Sequence, residues 1–213
     1  MSNIVNELVE EYIRNILPQK DGLLKDMEEY AFKNHVPIVQ PEVAKLLEVI
    51  TKINQTKSVL EVGTAIGYSA IIFMKAMEDG KLTSIEKRND MVEIARKNIE
   101  MAGLKGQIEV IEGCAEEILP TLKGKFDLIF LDAAKGQYMK FLSSSIDLLK
   151  KGGVLVSDNV LYKGMIASDE YVVRRKITIV KRMRKYLDYI MDHPELTTSL
   201  LPIGDGVALS YKN

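Results

Sequence analysis

The chain has 213 residues, 46% of them hydrophobic and 28% charged, the profile of a folded chain rather than a disordered or fibrous one, with room for one large core at about 150 residues per domain. Lysine and arginine number 29 against 30 acids, a formal net charge of -1, so bulk electrostatics cannot hold the chain on nucleic acid or an acidic membrane, and any such partner must be met by a local patch. The single cysteine, Cys114, excludes an intramolecular disulfide and a Cys-rich zinc or iron–sulfur site, and no apolar stretch approaches the roughly 18 residues of a membrane span; a cytoplasmic protein is expected.

No repeat, low-complexity tract or Pro/Gly/Ser linker interrupts the sequence, which favours one unit over 1–213. Residues 3–17, 23–34 and 41–53 carry apolar side chains at three- and four-residue steps, as at Ile4, Leu8, Tyr12 and Ile16, predicting a helical N-terminal cover over 1–56. From Lys57 onward, strands are predicted over 58–62, 81–86, 107–112, 126–132 and 153–158. They alternate with helices over 67–78, 89–102, 115–122 and 137–149, and a basic helix follows near 172–191. Runs such as Phe126-Asp127-Leu128-Ile129-Phe130-Leu131 lack polar alternation and suit parallel strands buried on both faces by crossover helices. Residues 197–203 and 207–212, around Gly204-Asp205-Gly206, read as two more strands. The expectation for 57–213 is therefore an α/β, Rossmann-like, doubly wound core: a mostly parallel seven-stranded sheet closed by an antiparallel C-terminal strand.

In such sheets ligands bind beyond the carboxyl ends of the strands. The first strand runs into Glu61-Val62-Gly63-Thr64-Ala65-Ile66-Gly67-Tyr68-Ser69. Gly63 and Gly67 either let the backbone approach a ligand at a helix N-terminus or make a plain tight turn. Their spacing is not G-x-G-x-x-G, which counts against a nicotinamide dinucleotide, and Glu61 beside the loop would repel phosphate and welcome a cationic group. Glu86 ends the second strand 23 residues after Gly63, near the ~20-residue offset of an acid that accepts the hydrogens of a ribose diol; a solvated loop glutamate is the alternative. Gly113-Cys114-Ala115 suits a flat base lying against backbone, or simply a strand-to-helix turn.

Asp132 with Lys135, and Asp158-Asn159, follow very apolar runs, where an unpaired carboxylate is costly, so these ends need hydrogen bonds, a cation or both. Two carboxylates and an amide oxygen form a hard-oxygen set that suits Mg²⁺ or Mn²⁺; turn capping is the other reading. Arg174, Arg175, Lys176, Lys181, Arg182, Arg184 and Lys185 place seven cations in twelve residues without an acid. That run is either a solvated face or, with the nearby Lys163, a border of the site that grips RNA phosphates. Tyr138, Tyr162 and Tyr171 are candidate stacking partners for an unpaired base. His35 and His193, each near a proline and without a ligand-spaced companion, are assigned structural roles.

These residues together resemble the Mg²⁺-dependent class I O-methyltransferases that use S-adenosylmethionine, the group of the catechol and caffeoyl-CoA enzymes. Residues 61–70 look like their cofactor loop, Ser84-Ile85-Glu86 like their ribose-binding acid, Asp132-Ala133-Ala134-Lys135 like their metal-plus-lysine motif, and Asp158-Asn159 like the remaining ligands. Within that group the pattern is similar to bacterial tRNA 5-hydroxyuridine methyltransferases. That likeness rests on His35-Val36-Pro37-Ile38, Gly63-Thr64-Ala65-Ile66-Gly67-Tyr68-Ser69, Asp132-Ala133-Ala134-Lys135-Gly136-Gln137-Tyr138, Asp158-Asn159-Val160-Leu161 with Lys163-Gly164, His193-Pro194 and Gly204-Asp205-Gly206. The resemblance implies cofactor contacts from Val39, Ser69, Glu86, Cys114, Ala115 and Asp132, beside Glu61 and Gly63 of the loop. It implies metal contacts from Asp132, Asp158 and Asn159, and a homodimer. Chemically, a neutral hydroxyl is a poor nucleophile toward a sulfonium, a bound divalent cation lowers its pKa, and Lys135 is placed to take its proton beside Asp132. The leading expectation is methylation of the 5-hydroxyl of 5-hydroxyuridine at the tRNA wobble position, giving 5-methoxyuridine. A catechol-like small phenol is the alternative acceptor, ahead of a non-catalytic nucleotide-binding module and, last, a nicotinamide oxidoreductase.

Overall fold

The computed structural model describes residues 4–213, so position 3 of the first predicted helix lies outside the described residues. Asn6 starts α1 (Glu7–Ile16) by accepting the Leu8 N–H on its side-chain oxygen at 3.0 Å, which satisfies one of the donors a helix start leaves free. Helix α2 (Gly22–Asn34) ends on His35 in the left-handed conformation, and α3 (Pro41–Ile53) opens on a proline whose missing N–H costs nothing there. The alternating region then gives β1 (Ser58–Val62), α4 (Tyr68–Ala76), β2 (Lys81–Glu86), α5 (Asn89–Met101), β3 (Ile108–Glu112), α6 (Ala115–Ile118), β4 (Phe126–Leu131), α7 (Tyr138–Leu148), β5 (Leu149–Ser157), α8 (Ile177–Asp192), β6 (Leu196–Leu201) and β7 (Val207–Lys212).

The sheet order is β3-β2-β1-β4-β5-β7-β6. Five strands run parallel, and β7 lies antiparallel to both β5 and β6. The sequence places an antiparallel strand as the closing element; in the structure β7 sits inside the sheet and β6 forms the edge. Strand order reverses between β1 and β4, which opens a crevice at their carboxyl ends. Apolar side chains bury both faces. One cluster joins Met27, Val43, Leu47, Phe73 and Val92 to the sheet, and the other joins Phe141, Ile146, Met183 and Ile190 to it. Helices α2 and α3 thus supply core residues themselves. Helix α1 buries none and is tied down by Arg14, whose guanidinium spans both oxygens of the buried Glu42 carboxylate at 2.7 and 2.9 Å. No described helix is long and apolar enough to cross a membrane.

Three boundaries differ from the sequence reading for identifiable reasons. The helix predicted over 115–122 stops at Ile118 and continues as a 3₁₀ turn, Leu119–Thr121, around Pro120, which lacks a donor for the α ladder. Strand β5 begins four residues early, at the last residue of the helix predicted over 137–149, because Leu149 is buried and pairs with Phe126; a register shift between Phe126 and Leu128 absorbs the difference. The basic helix is two pieces: Val172 and Val173 stay extended, Arg174–Lys176 form a separate 3₁₀ turn, and α8 starts at Ile177.

Candidate active site

Hydrogen bonds continue the sheet ladder one residue past each strand end. Asp132 N–H donates to the Val62 carbonyl at 2.9 Å, Gly63 N–H to Ile85 at 2.9 Å, Gly113 N–H to Glu86 at 2.8 Å and Asp158 N–H to Leu131 at 3.0 Å. The tips of β1, β2, β3, β4 and β5 are thereby levelled into one rim. Gly63 is required there for two reasons: its φ is +106°, and a Cβ would lie 2.3 Å from the Asp132 carbonyl oxygen.

A cavity of about 400 Å³ opens over this rim, within the range of small-molecule sites. Gly63, Glu86, Gly113, Cys114, Ala115, Asp132, Lys135 and Asn159 lie on its wall, so the structure brings most of the candidate residues together. The Glu86 carboxylate accepts the Ala65 and Arg88 N–H groups, each at 3.0 Å, which fixes it between two loops at the cavity edge. Val36, Pro37, Ala65, Ile85, Lys87, Arg88, Met91, Gln137 and Phe141 also line the cavity and were not singled out as site residues from sequence. Met91 and Phe141 have the spacing and chemistry of ordinary core positions, so nothing marks them. The Val36-Pro37 pair is foreshadowed only by lying in a quoted motif.

Four cofactor or metal candidates lie off the wall: Val39, Glu61, Ser69 and Asp158. Val39 is buried in the core three residues beyond Val36, and Ser69 is buried in the first turn of α4. Glu61 does not stand beside the loop as a surface charge. It is fully buried, and its carboxylate accepts the hydroxyls of Ser69 and Ser84, the latter also bonded to Thr64. Burial pushes its pKa up from 4.5 to about 7, against the two hydroxyl bonds, which act to lower it. The sign follows: between pH 4.5 and 7 the folded chain binds the proton that the unfolded chain has lost, so stability falls with rising pH by about 1.4 kcal/mol per unit. Denaturation in urea across this window is expected to show that component, and Glu61→Gln is expected to remove it. An identical slope in the variant would assign the dependence to other groups.

At the adjoining tips, Asp158 is 1% exposed and sits behind Asn159. Asn159 takes a left-handed φ of +56°, a conformation asparagine tolerates, and its N–H donates to Asp158 Oδ1 at 2.7 Å. Lys135 Nζ donates to Asn159 Oδ1 at 2.5 Å. Both carboxyl groups are held above the usual carboxylate range, first by burial. Asp132 is raised further by the charge of Asp158, and Lys135 pulls both down. A buried acid, Asp158, and a half-buried one on the wall, Asp132, which resist ionising together, form with an amide oxygen and a lysine beside them a donor set that a hard divalent cation fits chemically. No described group of three His, Cys, Asp or Glu offers an alternative metal site.

Beyond Asn159 the backbone turns back through left-handed Tyr162 and Lys163, and the Lys163 N–H donates to the Asp205 carboxylate. Lys135 Nζ stands 5.7 Å from the Tyr162 ring centroid and Lys176 Nζ 5.8 Å, both within cation–π range. The exposed Arg174 and Arg175 adjoin Lys176. Arg184, by contrast, is engaged by Asp169 and the Ile166 carbonyl. Tyr138 is not a stacking candidate: its ring is buried, and burial raises its pKa, so the hydroxyl stays protonated. Tyr162 is also buried beneath its two lysines, whereas Tyr171 is exposed.

A cavity at the switch point of a doubly wound sheet, with an acid at the second strand's tip, places the protein among α/β enzymes built around a nucleoside-type cofactor. The chain belongs to the O-methyltransferase family, whose model matches residues 15–213, and it is an O-methyltransferase of the catechol and caffeoyl-CoA type. A catechol O-methyltransferase of Niastella koreensis is 33% identical over 176 residues, 79% of this chain and 80% of that one. The crystal structure of a Staphylococcus aureus protein provisionally named a caffeoyl-CoA O-methyltransferase is 33% identical, with a TM-score of 0.91 over 97% of this chain and 100% of that one. An O-methyltransferase of Bacillus cereus, crystallised in complex with SAH, is 26% identical with a TM-score of 0.85, covering 97% of each chain.

Proposed function

We propose that the protein transfers the methyl group of S-adenosylmethionine to the 5-hydroxyl of 5-hydroxyuridine in tRNA, at the wobble position. The observation that carries this reading is the line of contacts from the exposed Arg174–Lys176 turn through Tyr162 to Lys135 and Asn159, which joins a basic surface to the reacting groups. Phosphates gripped by the turn would direct a displaced base toward the cavity.

In this reading Gly63, Glu86, Gly113, Cys114 and Ala115 receive the cofactor, Glu86 taking the ribose diol and the small residues the base. Asp132, Asp158 and Asn159 would hold Mg²⁺ or Mn²⁺. When bound, such an ion lowers the pKa of the acceptor hydroxyl and fixes its direction. Lys135 Nζ, beside Asn159, receives the proton that the hydroxyl loses when it stands there as the neutral amine, its own proton having first passed to solvent. The closed rim keeps donor and acceptor in line, an arrangement that contributes about 7 to 11 kcal/mol in well-oriented systems.

A second acceptor, a catechol-like phenol, is favoured by the likeness to the Niastella koreensis enzyme, and its two adjacent oxygens correspond to the hydroxyl and neighbouring carbonyl oxygen of a 5-hydroxyuracil. Labelled S-adenosylmethionine, Mg²⁺ and either hypomodified tRNA or a panel of catechols separate the two. Label in tRNA alone is the expected result; label in phenols alone would replace the RNA reading with the second. Neutralising Arg174, Arg175 and Lys176 together is expected to flatten the slope of log affinity for tRNA against log salt by about 2. An unchanged slope would return that turn to the solvent.

A further inference from the structure

Tyr138 opens α7, and its side chain is turned inward beneath the rim, 1% exposed. Its hydroxyl lies 3.0 Å from the carbonyl oxygen of Leu131 and 3.0 Å from that of Asp158. Leu131 is the last residue of β4 and is followed by Asp132; Asp158 directly follows β5. One phenolic proton is therefore shared between the backbones of the two neighbouring tips that carry the carboxylates, in addition to the Asp158 N–H bond to the Leu131 carbonyl. Below it, the Tyr186 ring meets Tyr138 edge-on at 5.4 Å, and the Tyr186 hydroxyl is 2.5 Å from Ser157 Oγ. The two rings form a strut that touches the end of β5 at two successive residues and the end of β4 at one.

The strut answers a specific physical need. Asp132 and Asp158 repel each other when ionised, and their tips are joined at this level by a single ladder hydrogen bond. A carbonyl-directed clamp holds the tips together without occupying a carboxylate oxygen. We propose that Tyr138 is a positioning residue that fixes the spacing of Asp132 and Asp158 before a divalent cation arrives, so that its hydroxyl acts on metal affinity rather than on cofactor affinity. This inference rests on the metal assignment made for Asp132, Asp158 and Asn159.

The test uses the full chain and Mn²⁺ as the probe, titrated by electron paramagnetic resonance with S-adenosylhomocysteine present. Tyr138→Phe keeps the ring and removes the clamp. Its Mn²⁺ affinity is expected to fall about tenfold, as for other residues that orient metal ligands, with the affinity for S-adenosylhomocysteine, read by calorimetry, within about twofold of the unaltered protein's. Unchanged Mn²⁺ affinity, or an equal loss of both affinities, would reduce the hydroxyl to a packing role and overturn the inference. Absence of Mn²⁺ binding by the unaltered protein would instead remove the metal assignment, a distinguishable result that takes the inference with it. Should Tyr138→Phe fail to fold, hydrogen exchange on the unaltered protein decides. The Asp132 and Asp158 amides are expected to be equally protected with and without Mn²⁺; protection that appears only with the ion would show tips that the ion itself assembles.

Discussion

Asp158→Ala is expected to lower methyl transfer by about a thousandfold, some 4 kcal/mol of transition-state stabilisation, while leaving the affinity for S-adenosylhomocysteine within a few-fold. The two effects separate because Asp158 lies behind the cavity wall, next to Asn159 and in the field of Asp132, whereas Gly63, Glu86, Gly113, Cys114 and Ala115, the residues proposed to receive the cofactor, line the wall at other tips. Single-turnover transfer and calorimetry on the same preparation measure both. Turnover within threefold of the unaltered protein in the presence of a chelator would leave the proposed divalent site without a role in the reaction.

Gly63→Ala is expected to weaken cofactor binding by more than about thirtyfold and to lower stability by about 3 kcal/mol or more. The added Cβ would meet the Asp132 carbonyl oxygen at 2.3 Å and its carbon at 2.7 Å, and both belong to a paired strand end that cannot retreat without breaking the bond from Asp132 N–H to Val62. Gly103→Ala is the control. Gly103 also has a positive φ, +72°, but a Cβ there meets nothing within 4 Å, so only the conformational cost of roughly 1–2 kcal/mol remains. Equal losses in the two variants, read from urea unfolding, would show that backbone conformation and not the collision decides.

The strand ends were legible because each apolar run stops at a residue whose chemistry contradicts it. Glu86, Asp132 and Asp158 follow segments that otherwise bury on both faces, and all three lie at the level of the rim. Glu61, read as an acid beside the loop, lies inside β1 as the predicted strand over 58–62 has it, but two serines from different elements, Ser69 and Ser84, satisfy it in the interior, and a linear reading cannot see such a pairing. Local pattern also failed at Leu149, read as the end of the helix over 137–149, where tertiary pairing with Phe126 starts the strand four residues before 153. Met91 and Phe141 were invisible for the opposite reason, since an apolar side chain facing a cavity differs from one facing the core only in what is absent opposite it.

The interior position of β7 has a consequence for biosynthesis. Strand β5 ends in Ser157, immediately before Asp158, and its flank is covered by residues 207–212, which leave the ribosome after the other described strands of the sheet. Until then β5 presents the backbone of Val154, Leu155 and Val156 unpaired, a β-prone edge on which a second nascent chain can template. Chains released before Val207 would carry every residue of the cavity wall and still lack the strand that shields the edge next to it, making premature termination a route to aggregates rather than to a partly active enzyme.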